Sequence, residues 1–171
     1  MAKYLAHDGA GGSAEVQAAT TGGVGDANKI PQLDANGKFP QAMMPGGVGD
    51  DTDTFQASEA LAAGDNVNIW SGSGAFRIRK ADAAGGKAKK AHGFVKESVS
   101  NGATGTVYFE GKNDQVTGLA PGDVYLSATT PGGITQDASA ITTAGHIVQR
   151  IGYATSATAF NFEASDPITL A

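Results

Sequence analysis

Residues 66–80 read NVNIWSGSGAFRIRK, and two pieces of this stretch decide the fold class. In Phe76-Arg77-Ile78-Arg79 apolar and basic residues alternate strictly, which puts Phe76 and Ile78 on one face and two Arg on the other. Val67-Asn68-Ile69 repeats the period in shorter form. Period two bounded by Gly, Asn and Ser is the signature of a half-buried strand. Working outward, the same texture runs through His92–Val99, Gly105–Glu110, Asp123–Ser127, His146–Tyr153 and Ala159–Glu163, with turn dipeptides at Asn101-Gly102 and Gly132-Gly133. Short strands with no long helical pattern predict an all-β fold, a small barrel or sandwich over residues 54–171. The expected core is Val67, Ile69, Phe76, Ile78, Phe94, Val107, Phe109, Leu126, Val148, Ile151, Phe160 and Phe162. Trp70 breaks the alternation after Ile69, and its burial stays open, with a contact between copies as one reading.

The β region reads as two similar halves. Leu61-Ala62-Ala63-Gly64-Asp65 is echoed by Leu119-Ala120-Pro121-Gly122-Asp123, and Gly93-Phe94-Val95 by Gly152-Tyr153-Ala154. Val107-Tyr108-Phe109-Glu110 resembles Phe160-Asn161-Phe162-Glu163. His92 and His146 both come just before a Gly-aromatic step, which suggests symmetric structural positions more than a metal pair.

Upstream of Thr54 the chain changes character. Residues 22–53, GGVGDANKIPQLDANGKFPQAMMPGGVGDDTD, are too rich in Gly, Pro, Asn and Asp for a helix or a packed strand run. Pro31, Pro40 and Pro45 each push the preceding residue toward extended backbone. Yet Ile30, Leu33, Phe39, Met43 and Met44 recur through the stretch, and a free linker carries few such side chains because nothing buries them. Residues 1–53 therefore read as an extended N-terminal arm whose apolar anchors lie on a surface. The pentapeptide GGVGD, at 22–26 and 46–50, brackets the anchored part as two Gly-rich turns. Ala14–Ala19 fits one helical turn. Asp34-Ala35-Asn36-Gly37 has the look of a calcium-loop start, but the twelfth position is Pro45 and an Asx-type turn fits better.

Composition narrows the function. The 171 residues include 25 Gly, carry 17% charged residues and have a net charge of -5. That balance argues against general nucleic-acid coating. There is no Cys, so disulfides and thiolate metal sites are excluded. The first sixteen residues lack the apolar segment of a secretory signal, and no run approaches the ~18 apolar residues of a membrane span. No membrane partner is expected. Neither a Gly-x-Ser-x-Gly elbow nor a phosphate loop occurs, and the three His are far apart. Glu97, Glu110 and Glu163 are scattered, where a polysaccharide depolymerase needs paired carboxylates in one groove. The chain is thus expected to be no enzyme and to hold no cofactor and no metal. The Asp50, Asp51, Asp53 cluster reads as a solvated acidic hinge.

Charge is unevenly placed. Residues 77–96 hold seven basic residues and one acid, Asp82, a local balance of +6, while residues 1–53 hold three basics and seven acids. Arg77, Arg79, Lys80, Lys87, Lys89 and Lys90 are candidates for electrostatic docking on an acidic surface. The patch lacks the interleaved aromatics of single-strand nucleic-acid binders.

The segment GDANKIPQLDANGKFPQAMMP (25–45) resembles a connector of tailed-bacteriophage virion proteins. ALAAGDNVNIW, RKADA, AHGFV, TVYFEG, VYLSATTPGGIT, HIVQRIGYATSATAFNFE and DPITL also resemble phage capsid decoration and head-fibre-like proteins. The resemblance runs from about Gly22 to the end of the chain and rests on turn and packing patterns. It implies a small β domain, a homotrimer, seated on the exterior of a capsid through its arm, made in the host cytoplasm, with the major capsid protein as partner. It equally fits a fibre or tail accessory protein whose β domain binds a host glycan, although at this length there is little room for a shaft.

Overall fold

The computed structural model describes residues 3–7, 10–19, 29–35, 37–40, 43–44 and 50–171. The chain divides into two compact units, Met1–Gly49 and Asp50–Ala171. The division read from composition, at Thr54, falls four residues inside the second unit.

In the first unit β1 (Lys3–His7) and β2 (Ser13–Gln17) form an antiparallel hairpin, with Tyr4 opposite Val16 and Leu5 opposite Glu15. This corrects the helical turn expected at Ala14–Ala19. A lone helical turn fixes several dihedrals for one hydrogen bond, whereas β2 finds a complete partner in β1. Beyond the hairpin, Ala19 bridges Pro31 in parallel fashion, with Ala19 N donating to Ile30 O (3.0 Å) and Gln32 N to Ala19 O (2.8 Å). The Tyr4 hydroxyl accepts from Ile30 N at 3.2 Å. Asp34 closes a turn on Lys38: its Oδ1 accepts from Lys38 N at 2.9 Å, and Gly37 takes the left-handed conformation (φ 73°). The GGVGD copy at 22–26 lies outside the described residues, as does the second copy except for Asp50.

The second unit is all-β. β3 (Thr52–Ala57), β4 (Asn66–Gly72), β5 (Ala75–Lys80), β6 (Gly93–Phe94) and β7 (Thr104–Tyr108) close a barrel in the order β3-β5-β4-β6-β7. Closure comes from the parallel pairs Gln56↔Arg77 and Ala57↔Ile78. β4 and β5 join through Ser73 and Gly74, both at positive φ (54° and 79°), as a tight two-residue hairpin demands. β8 (Gly111–Asn113), β9 (Asp123–Leu126), β10 (Ile134–Thr135), β12 (Arg150–Ser156) and β13 (Ala159–Phe162) make an open antiparallel sheet in the order β10-β9-β12-β13-β8. β11 (Ile147–Val148) pairs separately with β14 (Ile168–Thr169).

The two halves repeat one topology. Read from β5, the barrel order is β5-β4-β6-β7-β3, and each strand matches its counterpart in β10-β9-β12-β13-β8. The registers agree as well: Val67↔Gly93 corresponds to Val124↔Gly152, Phe94↔Tyr108 to Tyr153↔Asn161, and Ile69↔Ile78 to Leu126↔Ile134. In this frame the counterpart of His92 is Ile151. The expected equivalence of His92 and His146 is therefore wrong: His146 precedes β11, where its amide closes a turn on Thr143 O.

Two cores result. Ala57, Leu61, Val67, Ile78, Val95, Val99 and Val107 fill the barrel. Phe94, Val124, Leu126, Ile147, Ile151, Phe160 and Phe162 fill the space between the barrel wall and the second sheet. Phe94 belongs to a barrel strand but points out of the barrel, 5.5 Å from the ring of Tyr108 and 5.5 Å from that of Phe162. It is the joint between the halves. Gln149, fully buried, acts as a polar staple beside it: its amide pairs with both backbone groups of Ala91 (2.8 and 3.0 Å) and reaches Ser165 O. Asn66 and Asn113 are likewise buried and donate to Gly132 O and Gly64 O. Buried side-chain amides bonded to backbone groups specify the packing of the two halves, while Asn66 Oδ1 has no partner among the described residues.

Most of the expected core is buried, and Ile69, Phe109 and Val148 are half-buried. Phe76 is the exception, at 77% exposed. It has the inward phase, but it lies opposite Ser71, one residue pair from the hairpin tip, past the rim of the barrel. Alternation gives the direction of a side chain, not whether anything waits there.

Candidate functional site

The apolar anchors of the first unit are displayed. Ile30, Leu33, Phe39 and Met44 are exposed and Met43 is half-buried. Their backbone is held locally by the Ala19 bridge, the Asp34 turn and the Met43 N to Pro40 O bond (2.9 Å). Each of these large side chains gains roughly 1.5–3 kcal/mol when fully buried, so a segment that fixes its backbone yet leaves them in water suits attachment to another surface.

The basic segment divides once its partners are known. Lys80 Nζ lies 3.2 Å from Asp65, Lys89 Nζ 3.8 Å from Asp82, and Lys96 Nζ 3.8 Å from Asp50 and 4.1 Å from the centre of the Tyr108 ring. Arg77, Arg79, Lys87 and Lys90 have no carboxylate partner among the described residues. Arg79 is instead held by neutral groups: Nε donates to Asn68 Oδ1 (3.0 Å), Nη2 donates to Ala88 O (2.8 Å), and the guanidinium sits 4.6 Å over the Trp70 ring. The Trp70 indole N–H donates to Ser58 Oγ at 3.2 Å. Arg77 stands directly opposite Trp70 across the hairpin. A methyl group on Gly72 would strike the Trp70 ring and the Arg77 stem alike, so this glycine is the floor on which both lie. Arg77 Nε is shielded from water and has no acceptor, a situation that costs roughly 1–3 kcal/mol for a polar group.

His92, just before β6, completes the cluster. Its Nδ1 accepts from Ile69 N (2.9 Å) and lies 3.4 Å from Asn68 Nδ2, while the same Asn68 amide donates to Lys90 O. Burial, and after it the charge of Lys90, lowers the His92 pKa below its ordinary value. Neutral imidazole is the form these bonds require, since Nδ1 serves as acceptor.

The outer face of β4–β5 thus brings Trp70, Arg77 and Arg79 together, with Lys90 and His92 tied in through Asn68. Of the six basic residues singled out from sequence, Lys80 and Lys89 face inward partners. Trp70 was the residue whose role composition did not reveal. The signal was its phase: two positions from Asn68 and Gly72, it must share their face, opposite Arg77.

The other candidates stay apart. Glu97 lines a groove of about 170 Å³ with Lys96, Thr104, Thr106 and Tyr108, and Tyr108 is held above its ordinary pKa by burial and by Asp50 and Glu97. Glu163 sits 3.8 Å from Arg150, and Glu110 lines neither this groove nor the wider cleft between 117–119 and 134–137. Asp53 caps Thr54 N at 2.7 Å, and Asp51 is exposed. Among the described residues no three His, Asp or Glu gather as a metal site, and no helix is long and apolar enough to cross a membrane. No protein-family profile matches the chain, and no curated protein matches its sequence.

Proposed function

We propose that this protein is a virion structural protein that decorates a tailed-phage capsid and stabilises it by bridging major capsid subunits. One observation carries the reading: Ile30, Leu33, Phe39 and Met44 stand exposed on a locally pinned, proline-spaced backbone. Surface residues of this type, closely spaced, mark an interaction site. A compact β unit with two filled cores, Asp50–Ala171, supplies a rigid body for such a segment to attach. Copies joined as a homotrimer on a repeating shell turn modest contacts per arm into firm attachment. The resemblance noted in the sequence supplies the number three and the capsid as the surface.

The test compares rebinding to stripped particles by full-length protein, by a form lacking residues 1–49, and by a form with Ile30, Leu33, Phe39 and Met44 changed to Ser. Both altered forms are expected to lose rebinding at low and high salt. Normal rebinding by the truncated form sinks the proposal and transfers the argument to a fibre or tail accessory protein with a free β tip.

A further inference from the structure

We propose that the outer face of the β4–β5 hairpin is a recognition site for the carboxylates of an extended acidic polypeptide, with Trp70 as its floor and Arg77 and Arg79 as its two claws. The site is independent of the arm-docking reading, since it lies wholly within the second unit.

Three observations carry it. Arg77 and Arg79 are two residues apart on one strand and so point the same way, about 7 Å from each other. Side chains two apart on any extended peptide have that same spacing, so a partner strand with acids at alternate positions meets both guanidinium groups at once. Neither Arg has a carboxylate among the described residues, although Lys80, Lys89 and Lys96 in the same segment all do. Three lysines of the segment thus have an intramolecular acid, while neither arginine, the residue whose planar fork binds carboxylate in two-point fashion, has one. Finally, the pair is pre-organised. Arg79 is fixed by Asn68 and Ala88 and stacked on Trp70, while the Arg77 stem lies on Gly72 beside the same indole. Rotamers already ordered lose less freedom when a ligand arrives. Arg77 Nε, dry and without an acceptor, leaves this guanidinium the least satisfied of the set. Lys87 and Lys90 add positive charge that draws an acidic chain toward the face.

Nucleic acid is disfavoured. Single-strand nucleic-acid binders combine a basic groove with several aromatics on which bases stack, and Trp70 is the chain's single Trp, in a protein of net charge -5.

That single Trp also makes the test direct, because the emission of the intact protein reports from the site itself. The probe is a short peptide alternating Glu and Ser, titrated at low salt. A saturable change in Trp70 emission is expected, abolished in high salt and absent with the Gln-Ser counterpart. Arg77→Gln is expected to weaken binding about tenfold, the loss of one charge-assisted contact. Arg77→Lys keeps the charge without the fork, and a smaller loss is expected. Lys112→Gln, on β8 of the second sheet, is expected to bind as the unaltered protein does. Circular dichroism checks that each variant is folded, and the Arg77→Lys result decides the matter should Arg77→Gln misfold. The proposal is overturned by the absence of a saturable change, by equal binding of the Gln-Ser peptide, or by unweakened binding in both Arg77 variants. Tighter binding of oligothymidylate than of the acidic peptide also overturns it. So does displacement of the peptide by inorganic phosphate at equal concentration, which would reduce the face to a simple anion site.

Discussion

The barrel half and the open-sheet half share strand order and register but differ in which hairpin is long. In the barrel half β5 runs six residues and β6 only two. In the other half β10 runs two and β12, the counterpart of β6, seven. The long β5 reaches around to β3 and closes the wall through Gln56 and Ala57. β10 does not reach β8, the counterpart of β3. It starts after Pro131-Gly132-Gly133, and past Thr135 the Gln136 amide turns away to pair with both backbone groups of Ala120, at 2.9 and 2.7 Å. One topology therefore gives a closed barrel or an open sheet according to where a strand is interrupted. The long hairpin of the barrel half is also the element that carries the Trp70–Arg79 face. Arg77 is itself one of the closing residues, so closure and the face share this strand.

The largest expected effect falls on the joint between the halves. Phe94→Ala empties a fully buried ring site shared by Tyr108 and Phe162, and a loss of roughly 3–5 kcal/mol is expected in urea unfolding. A cost below about 1 kcal/mol, the scale of a surface change, would mean that the two cores are not coupled through this ring.

Next come the paired glycines. Gly93 has Val107 and the Tyr108 carbonyl where a Cβ would stand, and Gly152, at φ 153°, has the Asn161 carbonyl there. Ala at either position is expected to lower stability by roughly 1–3 kcal/mol, as overpacking does. Similar losses, by thermal melting, sharpen the correspondence of the halves. A harmless Gly93→Ala beside a damaging Gly152→Ala breaks it.

His92 has no titrating counterpart, since Ile151 occupies its place. The folded chain holds His92 below its ordinary value of 6.5, chiefly by burial. As pH falls through 6.5 the unfolded chain takes up the proton first, so stability is lost from there down through the lower folded pKa. Above 6.5 the group makes no difference. Melting temperature is expected to fall across that acid window in the natural chain and to fall less steeply in His92→Asn, which keeps an acceptor without a charge. Equal slopes refute the assignment.

The smallest effect is expected at Phe76. Phe76→Ser should shift stability by no more than about 0.5 kcal/mol, despite a sequence phase identical to that of the fully buried Ile78. A loss of several kcal/mol would show that the hairpin tip is covered.

Legibility followed the range of the physics. Period two in Phe76–Arg79 and in Phe160–Phe162 announced strands because alternation is a local property of the pleat. The echoes of Leu61–Asp65 and Gly93–Val95 announced the repeat because equal packing problems had been solved with equal residues. The large apolar side chains of residues 30–44 were legible too, because composition alone says that such side chains want cover; that Ile30, Leu33, Phe39 and Met44 stand exposed was seen only in the structure. Ala14–Ala19 failed because its helical preference was weighed without β1, the hairpin partner just upstream. Phe76 failed because the rim of a barrel is a matter of where the strands stop. Which cations are spent and which are free was likewise beyond the sequence. Lys80 finds Asp65 and Arg79 finds Trp70 only after β4 and β5 pair. What the sequence determined by itself was the all-β class, the strand phases and the internal repeat, because each is written in neighbouring residues. What only the tertiary structure decided was closure, the Phe94 joint and the Trp70–Arg79 face, because each depends on distances between residues that the chain keeps apart.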